Sequence, residues 1–416
     1  MKIAYIVSMF PALSETFILN ELISHKKVGI EVSIFSIKKF NGGMVHDKAA
    51  PFIEKTIYLG VRFWIEIFFL HLYMLASKPK IYLSTLYKLL SFKTDIKIKL
   101  NSLAVFFCSP YYSFVAKKQN ITHLHAHFAT YPALLAWIIS IFNKIPFSVT
   151  AHAHDLYLNQ DILKLFSDDA KAIVTISNFN KSFILDKLGW KATAKEKIVS
   201  VIHCGMDLAA FDFNADKPSR YGTNRKFRIL SVGRLSGIKG FEYLLDALAL
   251  LKQEGLEFSC QIIGDGPLRH ELRMQSDSLD LDGCVTFLGA KRSEEVIAYL
   301  RDADLFVIAC ANDKIEGHDG IPVAFMEAMA LGVRVVGTSI SGIPELIVHG
   351  ETGLCASPEN PVSLKENIAH IMSNYDNTLD MVKGARYIIE QQFDIEKNAN
   401  ELRNIFLKTD PKPRPS

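Results

Sequence analysis

The sequence lacks any cysteine arrangement that would indicate a disulfide framework or a metal centre. Its six cysteines are scattered along the chain, with no C-x-x-C pair and no metal-ligand spacing. Most of them stand within apolar runs, which is typical of small buried residues in a reducing cytoplasm. The cysteines therefore favour a cytoplasmic protein and argue against a structural zinc site.

The sequence also lacks an apolar run that would cross a membrane. The most apolar window, residues 57–76, is interrupted by Arg62 and Glu66, and another, residues 133–142, is too short. No apolar signal region precedes the fold, because residues 2–8 (KIAYIVS) already have the pattern of a core strand. We therefore expect neither a membrane-spanning helix nor a secretory leader.

The chain as a whole has little net charge, but one segment of it is strongly basic. The formal net charge is only +3 at pH 7, which argues against a dedicated nucleic-acid binder. Between residues 61 and 120, however, nine basic residues stand against two acidic ones, interleaved with aromatic and aliphatic residues. This pattern is typical of helices on an anionic membrane surface, and equally of ordinary amphipathic helices in an insertion.

Length and hydropathy patterning predict two α/β domains. A chain of 416 residues exceeds one ordinary core, and 49% hydrophobic with 22% charged residues describes a globular protein. In both halves, short β-branched runs alternate with amphipathic helical segments, which indicates parallel strands with helices on both faces. The predicted fold class is α/β, with two Rossmann-like, doubly wound parallel sheets that face each other across a cleft.

The predicted boundaries follow from where this alternation stops. A polar stretch with Pro and Gly but no periodicity predicts a linker at 212–226. The first domain is then 1–211, with a helical insertion at about 61–118, and the second domain is 227–390. Residues 391–416 are predicted to form a helix that crosses back to the first domain, followed by a loose Pro-rich tail.

The most informative segment is residues 308–346, which places two carboxylates across the start of a helix. Asp319 lies on the loop, Pro322 suits the first helical turn, and Glu327 lies about a turn and a half inside the helix. Carboxylates accept hydrogen bonds from vicinal hydroxyls, and free N–H groups at a helix start favour an anion. The segment therefore suits the binding of a polyol. For this pair of carboxylates alone, the simpler interpretation is that Asp319 caps the helix and Glu327 is a solvated surface residue.

A loop of the same half carries two cations. After the strand FRILSVG, Gly233 permits a sharp turn, Arg234 leaves the strand end, and Lys239 stands at the start of the next helix. Arg binds phosphate oxygens bidentately and Lys supplies a mobile point charge, so the loop fits a diphosphate. Two basic residues in a loop are commonplace, but their position in the same half as the two carboxylates strengthens this interpretation.

Another strand end carries the compact turn Gly264, Asp265 and Gly266, where the backbone can approach a nucleotide closely. The turn does not match the G-x-G-x-x-G fingerprint of dinucleotide-binding folds. An ordinary turn is the simpler account of Asp265.

Strand ends in the first half carry candidate acceptor-side residues. His152 ends the strand PFSVTAH and Asp155 follows it, at the carboxyl end where doubly wound sheets bind ligands. His127 ends a row of alternating histidines that lacks the carboxylate or cysteine spacing of a metal site, so packing is the preferred role of that row. Ser14 and Glu15 lie where the first strand gives way to a helix, and Ser14 either caps this helix or meets a phosphate or an acceptor hydroxyl.

Four motifs together, GRL-x3-KG, IIGDGP, DGIPVAFMEAMA and GIPEL, resemble the retaining family-4 glycosyltransferases of the two-Rossmann-domain (GT-B) type. The resemblance runs over most of the chain. The segments FP-x2-SETF, HAHF and TAHAHD are similar to the bacterial colanic-acid and exopolysaccharide branch of that family.

The resemblance implies a role for each candidate residue. Arg234 and Lys239 would hold the donor diphosphate, and Glu327 would bind the nucleotide ribose. Asp319 would contact the transferred sugar, and His152 would reach the same sugar. The remaining donor-side positions are Gly233, Gly264, Asp265, Gly266, Gly320 and Ile321. The family usually has Glu where this chain has Asp319, which shortens the arm by about one methylene, roughly 1.5 Å.

The expected reaction is transfer of a sugar from a nucleoside diphosphate sugar to a hydroxyl of a saccharide, with the anomeric configuration retained. The expected acceptor is a saccharide or polyprenyl-diphosphate-linked oligosaccharide of exopolysaccharide or cell-surface polysaccharide biosynthesis, at the cytoplasmic face of the plasma membrane. We expect no metal or other cofactor, because Arg234 and Lys239 would stabilise the leaving diphosphate. A nucleotide-sugar epimerase or hydrolase and a non-catalytic binding protein stay open as alternatives.

Overall fold

A computed structural model describes residues 1–12, 15–40, 47–59, 64–158, 160–215, 225–313, 317 and 320–409. The chain divides into two compact units. Unit 1 comprises Met1–Ile176, Asn180–Gly205 and Ile395–Ser416, and unit 2 comprises Ser177–Phe179 and Met206–Asp394. The division between Gly205 and Met206 precedes the predicted linker, of which residues 216–224 lie outside the described part of the chain.

Unit 1 contains a seven-stranded parallel sheet. Its strands are β1 (Lys2–Met9), β2 (Glu31–Lys38), β3 (Thr56–Tyr58), β4 (His123–His127), β5 (Phe147–Ala151), β6 (Ala172–Thr175) and β7 (Val199–Val201). They lie in the order β3-β2-β1-β4-β5-β6-β7. Strands β4, β5 and β6 are buried at every residue, as expected of a parallel sheet that helices cover on both faces.

The helices of this unit are α1 (Thr16–Lys27), α2 (Ala50–Ile53), α3 (Trp64–Ser77), α4 (Pro79–Ser91), α5 (Ile96–Lys118), α6 (Tyr131–Asn143), α7 (Ala153–Leu158), α8 (Asp161–Phe166), most of α9 (Asn178–Leu188), and α17 (Ile395–Thr409). Helix α6 is apolar nearly all round and includes the fully buried Trp137. Helix α17 packs against this unit, because Phe406 is fully buried beside the rings of His25 and His123.

Unit 2 contains a six-stranded parallel sheet. Its strands are β8 (Phe227–Val232), β9 (Phe258–Ile263), β10 (Val285–Gly289), β11 (Leu305–Val307), β12 (Arg334–Thr338) and β13 (Leu354–Ala356). Its helices are α10 (Phe241–Gln253), α11 (Arg269–Ser278), α12 (Ser293–Asp302), α13 (Val323–Ala330), α14 (Ile343–Leu346), α15 (Pro361–Ser373) and α16 (Leu379–Gln392). The strands lie in the order β10-β9-β8-β11-β12-β13. The two doubly wound parallel sheets predicted from the sequence are confirmed.

The strand order locates a binding crevice in each unit. In unit 1 the first strand, β1, lies between β2 and β4, and in unit 2 the first strand, β8, lies between β9 and β11. At such a point the chain leaves neighbouring strands towards opposite faces of the sheet, which opens a crevice at their carboxyl ends. The residues that border these crevices follow β1 and β4 in unit 1, and β8 and β11 in unit 2.

The predicted helical insertion consists of α3, α4 and α5, between β3 and β4. His71 of α3 joins the three helices, because its ring nitrogens lie 2.8 Å from the Tyr82 hydroxyl of α4 and 2.9 Å from the Phe107 carbonyl oxygen of α5. Throughout the described residues, no helix combines the length and the apolar character that spanning a membrane requires.

Candidate active site

Three loops of unit 2 interlock at the carboxyl ends of β8, β9 and β11. The Gly233 amide donates to the Ile263 carbonyl oxygen at 3.0 Å, which ties the loop after β8 to the end of β9. The Ala311 amide donates to the Ile238 carbonyl oxygen at 3.2 Å, which ties the segment after β11 to the same loop. The loop after β8 is therefore held by backbone hydrogen bonds on two sides.

Two glycines allow these loops to approach. A Cβ atom on Gly240 would lie 1.9 Å from the Ala309 carbonyl oxygen, and Gly240 has a φ of +59°. A Cβ atom on Gly264 would lie 1.8 Å from the Gly233 carbonyl oxygen. Because no side chain fits at either distance, both positions require glycine for the loops to meet as they do.

The loop after β8 carries both predicted cations. Gly237–Lys239 form a 3₁₀ turn that leads into α10, so Lys239 lies just before the start of this helix. The Lys239 side chain runs along Gly233, since its Cδ atom lies 3.4 Å from where a Gly233 Cβ would stand. Arg234 is exposed at the end of β8. The positions Gly233, Arg234 and Lys239 thus form one cationic loop at the unit 2 crevice.

Asp265 stabilises the turn that contains it. One carboxylate oxygen lies 2.8 Å from Nη1 of Arg269, and the other accepts a hydrogen bond of 2.8 Å from the Gly266 amide. A Cβ on Gly266 would lie 2.4 Å from the Leu235 carbonyl oxygen, so this glycine also maintains the close approach. The structure therefore gives Asp265 a local role, while Gly264 and Gly266 bring backbone to the crevice.

Glu327 lies in the second turn of α13, mostly buried. Burial raises the pKa of its carboxyl group to about 7. No described residue forms an ion pair or side-chain hydrogen bond with it. Gly320 and the buried Ile321 lead into this helix, whereas Asp319 lies outside the described residues. A mostly buried carboxylate without a described partner is suited to accept hydrogen bonds from a ligand.

In unit 1, the crevice between β1 and β4 contains a buried network of histidines and glutamates. Nε2 of His127 lies 3.1 Å from a carboxylate oxygen of Glu21, and its Nδ1 lies 3.3 Å from Nε2 of His152. Burial, followed by the nearby His127, lowers the pKa of His152 well below its ordinary value, so this ring is neutral. Phe17 packs on the His152 ring with centroids 4.7 Å apart.

Glu15 stands at the start of α1 beside this network. Burial raises the pKa of its carboxyl group, and His127 partly offsets the effect. Its Oε2 atom is buried and has no hydrogen-bond partner among the described residues. Because a buried oxygen without a partner is costly, Glu15 is positioned to accept a ligand hydroxyl. The neighbouring Ser14 lies outside the described part of the chain.

The carboxylate of Asp155 is hydrogen-bonded to backbone amides. Its two carboxylate oxygens accept hydrogen bonds from the amides of His152, at 2.7 Å, and Ala129. Burial raises the pKa of the Asp155 carboxyl to about 7, although these amides act in the opposite direction. Asp155 therefore joins the end of β4 to the start of α7 and fixes the position of His152.

Glu21 was not among the site residues predicted from the sequence. Its carboxylate, His125 and His127 offer three potential metal-ligating atoms within 4.8 Å of one another. The ring nitrogens of His125, however, already contact the hydroxyls of Ser148, at 2.8 Å, and Thr150, at 3.1 Å. The arrangement is therefore a hydrogen-bonded packing layer. The sequence did contain a signal for Glu21. Glu21 and His25 are four residues apart, on the face of α1 that also carries Ile18 and Leu22.

Comparisons with known proteins agree with this geometry. Residues 93–210 match the family described as Glycosyltransferase Family 4, and residues 213–387 match Glycosyl transferases group 1. The chain is 26% identical over 424 residues to the putative colanic acid biosynthesis glycosyltransferase WcaL of Salmonella typhimurium, covering 98% of this chain and 99% of that protein. It is 28% identical over 440 residues to the amylovoran biosynthesis glycosyltransferase AmsK of Erwinia amylovora, with the same coverage.

The chain combines these two glycosyltransferase domains and is homologous to glycosyltransferases of exopolysaccharide biosynthesis. Solved structures agree on the fold. A glycosyltransferase of Rickettsia africae has a TM-score of 0.71 at 18% identity, covering 99% of both chains. HepE of Anabaena, solved in complex with UDP-glucose, has a TM-score of 0.69 at 18% identity, covering 97% of this chain and 98% of that one. The protein is therefore a GT-B glycosyltransferase with two Rossmann-like domains.

The glycine contacts lead to a test of the interlocked loops. We expect Gly240→Ala to lower the free energy of unfolding by about 3 kcal/mol or more, because the Ala309 carbonyl must move. Gly255→Ala is the matched control, since Gly255 has a φ of +77° but no atom within 4 Å of its added Cβ. This control carries only the left-handed backbone strain, about 1 kcal/mol. Urea unfolding of both variants measures the difference, and equal losses would contradict the steric account.

Proposed function

We propose that this glycosyltransferase takes its sugar from a nucleoside diphosphate sugar without a metal ion. The observation that carries the proposal is the cationic loop, where Arg234 and Lys239 share one interlocked turn at the unit 2 crevice. A guanidinium and an ammonium group supply the positive charge that a leaving diphosphate needs as its bond to the sugar breaks. The UDP-glucose complex of HepE, a structural neighbour, supports this class of donor.

Glu327 completes the proposed donor site. Its carboxylate would accept hydrogen bonds from the vicinal hydroxyls of the nucleotide ribose, and Asp319 would contact the transferred sugar. Gly264 and Gly266 let their turn pack directly against the loop after β8, and the backbone of this turn would border the nucleotide.

We propose that transfer retains the anomeric configuration through attack on the same face as the leaving group. The bond between the anomeric carbon and the phosphate oxygen breaks, and a bond from that carbon to the acceptor oxygen forms. The acceptor proton passes to the leaving phosphate, so the protein need not supply a carboxylate nucleophile. The Arg234 and Lys239 side chains would stabilise the negative charge on the departing diphosphate until it takes up this proton.

The acceptor side of the proposal rests on unit 1. The Oε2 atom of Glu15 would accept a hydrogen bond from the acceptor, and the neutral ring of His152 would contact the transferred sugar without adding charge. Homology to colanic acid and amylovoran enzymes supports a saccharide of exopolysaccharide biosynthesis as the acceptor, and we propose that this saccharide is lipid-linked.

We also propose peripheral attachment to the cytoplasmic face of the plasma membrane through the surface of α3, α4 and α5, named here the insertion surface. Its large exposed side chains include Ile65, Phe68, Phe69, Leu72, Tyr73, Leu83, Tyr87, Leu90, Ile96, Leu100, Phe107 and Phe114. The basic excess of residues 61–120 complements anionic headgroups. This combination favours the membrane-surface interpretation over an ordinary solvated insertion.

The transfer reaction can be tested with a panel of UDP-, GDP- and ADP-sugars, lipid-linked acceptors from a bacterial membrane extract, and EDTA. We expect transfer to continue in EDTA, with the donor's anomeric configuration in the product by NMR. Arg234→Gln and Lys239→Gln should each lower kcat about 100-fold, because each removes a charge that stabilises the leaving group. The control Lys252→Gln, which breaks an exposed ion pair with Asp280, should leave kcat unchanged.

Three outcomes would contradict the proposal. Activity that disappears in EDTA and returns only with Mg²⁺ or Mn²⁺ would exclude metal-independent transfer. An inverted product would exclude retention. Rapid release of free sugar or an epimer without acceptor would favour the hydrolase or epimerase alternative.

The raised pKa of Glu327 predicts a pH dependence of donor binding. The ionised carboxylate accepts ribose hydrogen bonds with both oxygens and more strongly than the neutral acid does. Its pKa of about 7 means that ionisation is completed as pH rises through neutrality. The Kd for the sugar nucleotide should therefore fall about tenfold between pH 6 and pH 8. Glu327→Gln should bind more weakly at pH 8 and show a flat profile. A flat profile in the unmodified protein would rule out this role.

A further inference from the structure

A cavity of about 670 Å³ lies between α3 and α5, in the helical insertion and away from the unit 1 crevice. Its walls are mainly apolar and include Leu70 and Met74 of α3 and Pro110 and Phe114 of α5. Its volume is in the range of about 300–1,000 Å³ that is typical of small-molecule sites. The cavity is therefore large enough for an apolar chain.

The polar atoms in the wall do not suit a sugar or a nucleotide. Ser113 donates its hydroxyl hydrogen to the side-chain oxygen of Asn143 at 2.9 Å, and the Asn143 amide donates to the Ser113 carbonyl oxygen at 2.7 Å. These two residues satisfy each other, so the wall offers few hydrogen bonds to a polyol. The apolar walls thus favour a ligand with a hydrocarbon body.

Three lysines line the same cavity: Lys78, Lys117 and Lys118. The Lys78 amino group donates to the Phe142 carbonyl oxygen at the end of α6, and burial, together with repulsion from Lys117 and Lys144, lowers its pKa. Lys117 and Lys118 are exposed in the last turn of α5, and neither pairs with an acidic side chain in the described ranges. The cavity therefore has uncompensated positive charge at one end, which favours an anionic group.

The cavity opens onto the insertion surface. Tyr73 is 57% exposed and Phe114 is 45% exposed, and both line the cavity while belonging to that surface. Phe69 and Leu72, in the same turn of α3 as Tyr73, are also exposed. A chain that leaves a bilayer under this surface would enter the cavity without crossing water.

We infer that this cavity binds an anionic membrane phospholipid, with an acyl chain between α3 and α5 and the phosphate against Lys117 and Lys118. The inference rests on the proposed membrane attachment and adds a defined lipid site to it. The apolar walls match the acyl chain of such a lipid, and the neighbouring lysines match its phosphate. An uncharged lipid or free phosphate would use only one of these two features. Occupation of this site would hold the insertion in one position on the membrane.

The site can be tested in the full-length protein with decyl phosphate below its micelle concentration, measured by calorimetry. We expect saturable binding of one molecule. Inorganic phosphate and decyl maltoside should each bind at least about tenfold more weakly, because each offers only one of the two features. Binding of decyl maltoside as tight as that of decyl phosphate would overturn the role of the lysines.

Two pairs of variants separate the site from general electrostatic attraction. Lys117→Gln with Lys118→Gln should weaken decyl phosphate binding about tenfold, whereas Lys93→Gln with Lys97→Gln, exposed on the same insertion, should not change it. Phe114→Asp should abolish binding, whereas Leu100→Asp, which is exposed on the same helix and does not line the cavity, should not. Equal effects within either pair would overturn the assignment.

Vesicles distinguish failure of this site from failure of membrane attachment. With phosphatidylcholine vesicles containing phosphatidylglycerol, the protein should float in a salt-sensitive manner, and the Lys117/Lys118 variant should float less than the Lys93/Lys97 variant. Flotation of the unmodified protein without decyl phosphate binding would reject the lipid site and keep membrane attachment. If the protein neither floats nor binds decyl phosphate but self-associates in sedimentation through the insertion surface, both ideas are wrong.

Discussion

The close approach of backbone segments at the carboxyl edge of the unit 2 sheet is the constraint on which the candidate donor site depends. Gly240 meets the Ala309 carbonyl, and Gly264 meets the Gly233 carbonyl, at distances that exclude any side chain. These contacts hold the loop after β8 between its two neighbours. The Lys239 side chain lies along Gly233 in this loop. These backbone contacts thus determine where the loop that carries Arg234 and Lys239 lies.

The two units use the same strand order for different chemistry. In unit 2 the crevice beside β8 offers a cationic loop, glycine-rich turns and one mostly buried carboxylate, Glu327. In unit 1 the crevice beside β1 offers the neutral buried ring of His152 and Glu15, one of whose carboxylate oxygens is buried without a partner among the described residues. Positive charge suits a diphosphate, whereas neutral rings and carboxylates suit hydroxyl groups. One fold therefore supplies both kinds of surface that a sugar transfer needs.

The features that could be predicted from the sequence are those that depend on residues close together in the chain. Alternation of β-branched runs with helices predicted the parallel sheets, and the Gly, Arg and Lys positions after β8 predicted a cationic loop. The strand order was not predictable in this way, because it depends on pairings such as β1 with β4, more than a hundred residues apart. The same limit applies to Glu21, whose contact with His127 joins residues 106 positions apart. Asp155 was expected on the acceptor side, but its bonds to two backbone amides depend on how β4 and α7 meet.

The most direct measurement of the central claim is calorimetric titration of the full-length protein with sugar nucleotides in the presence of a chelator. The account predicts saturable binding of at least one UDP-, GDP- or ADP-sugar in EDTA, with an affinity that added Mg²⁺ does not change. It also predicts that the nucleoside monophosphate binds far more weakly, since it lacks the second phosphate. Absence of binding heat with every sugar nucleotide, or binding only after Mg²⁺ is supplied, would contradict the account.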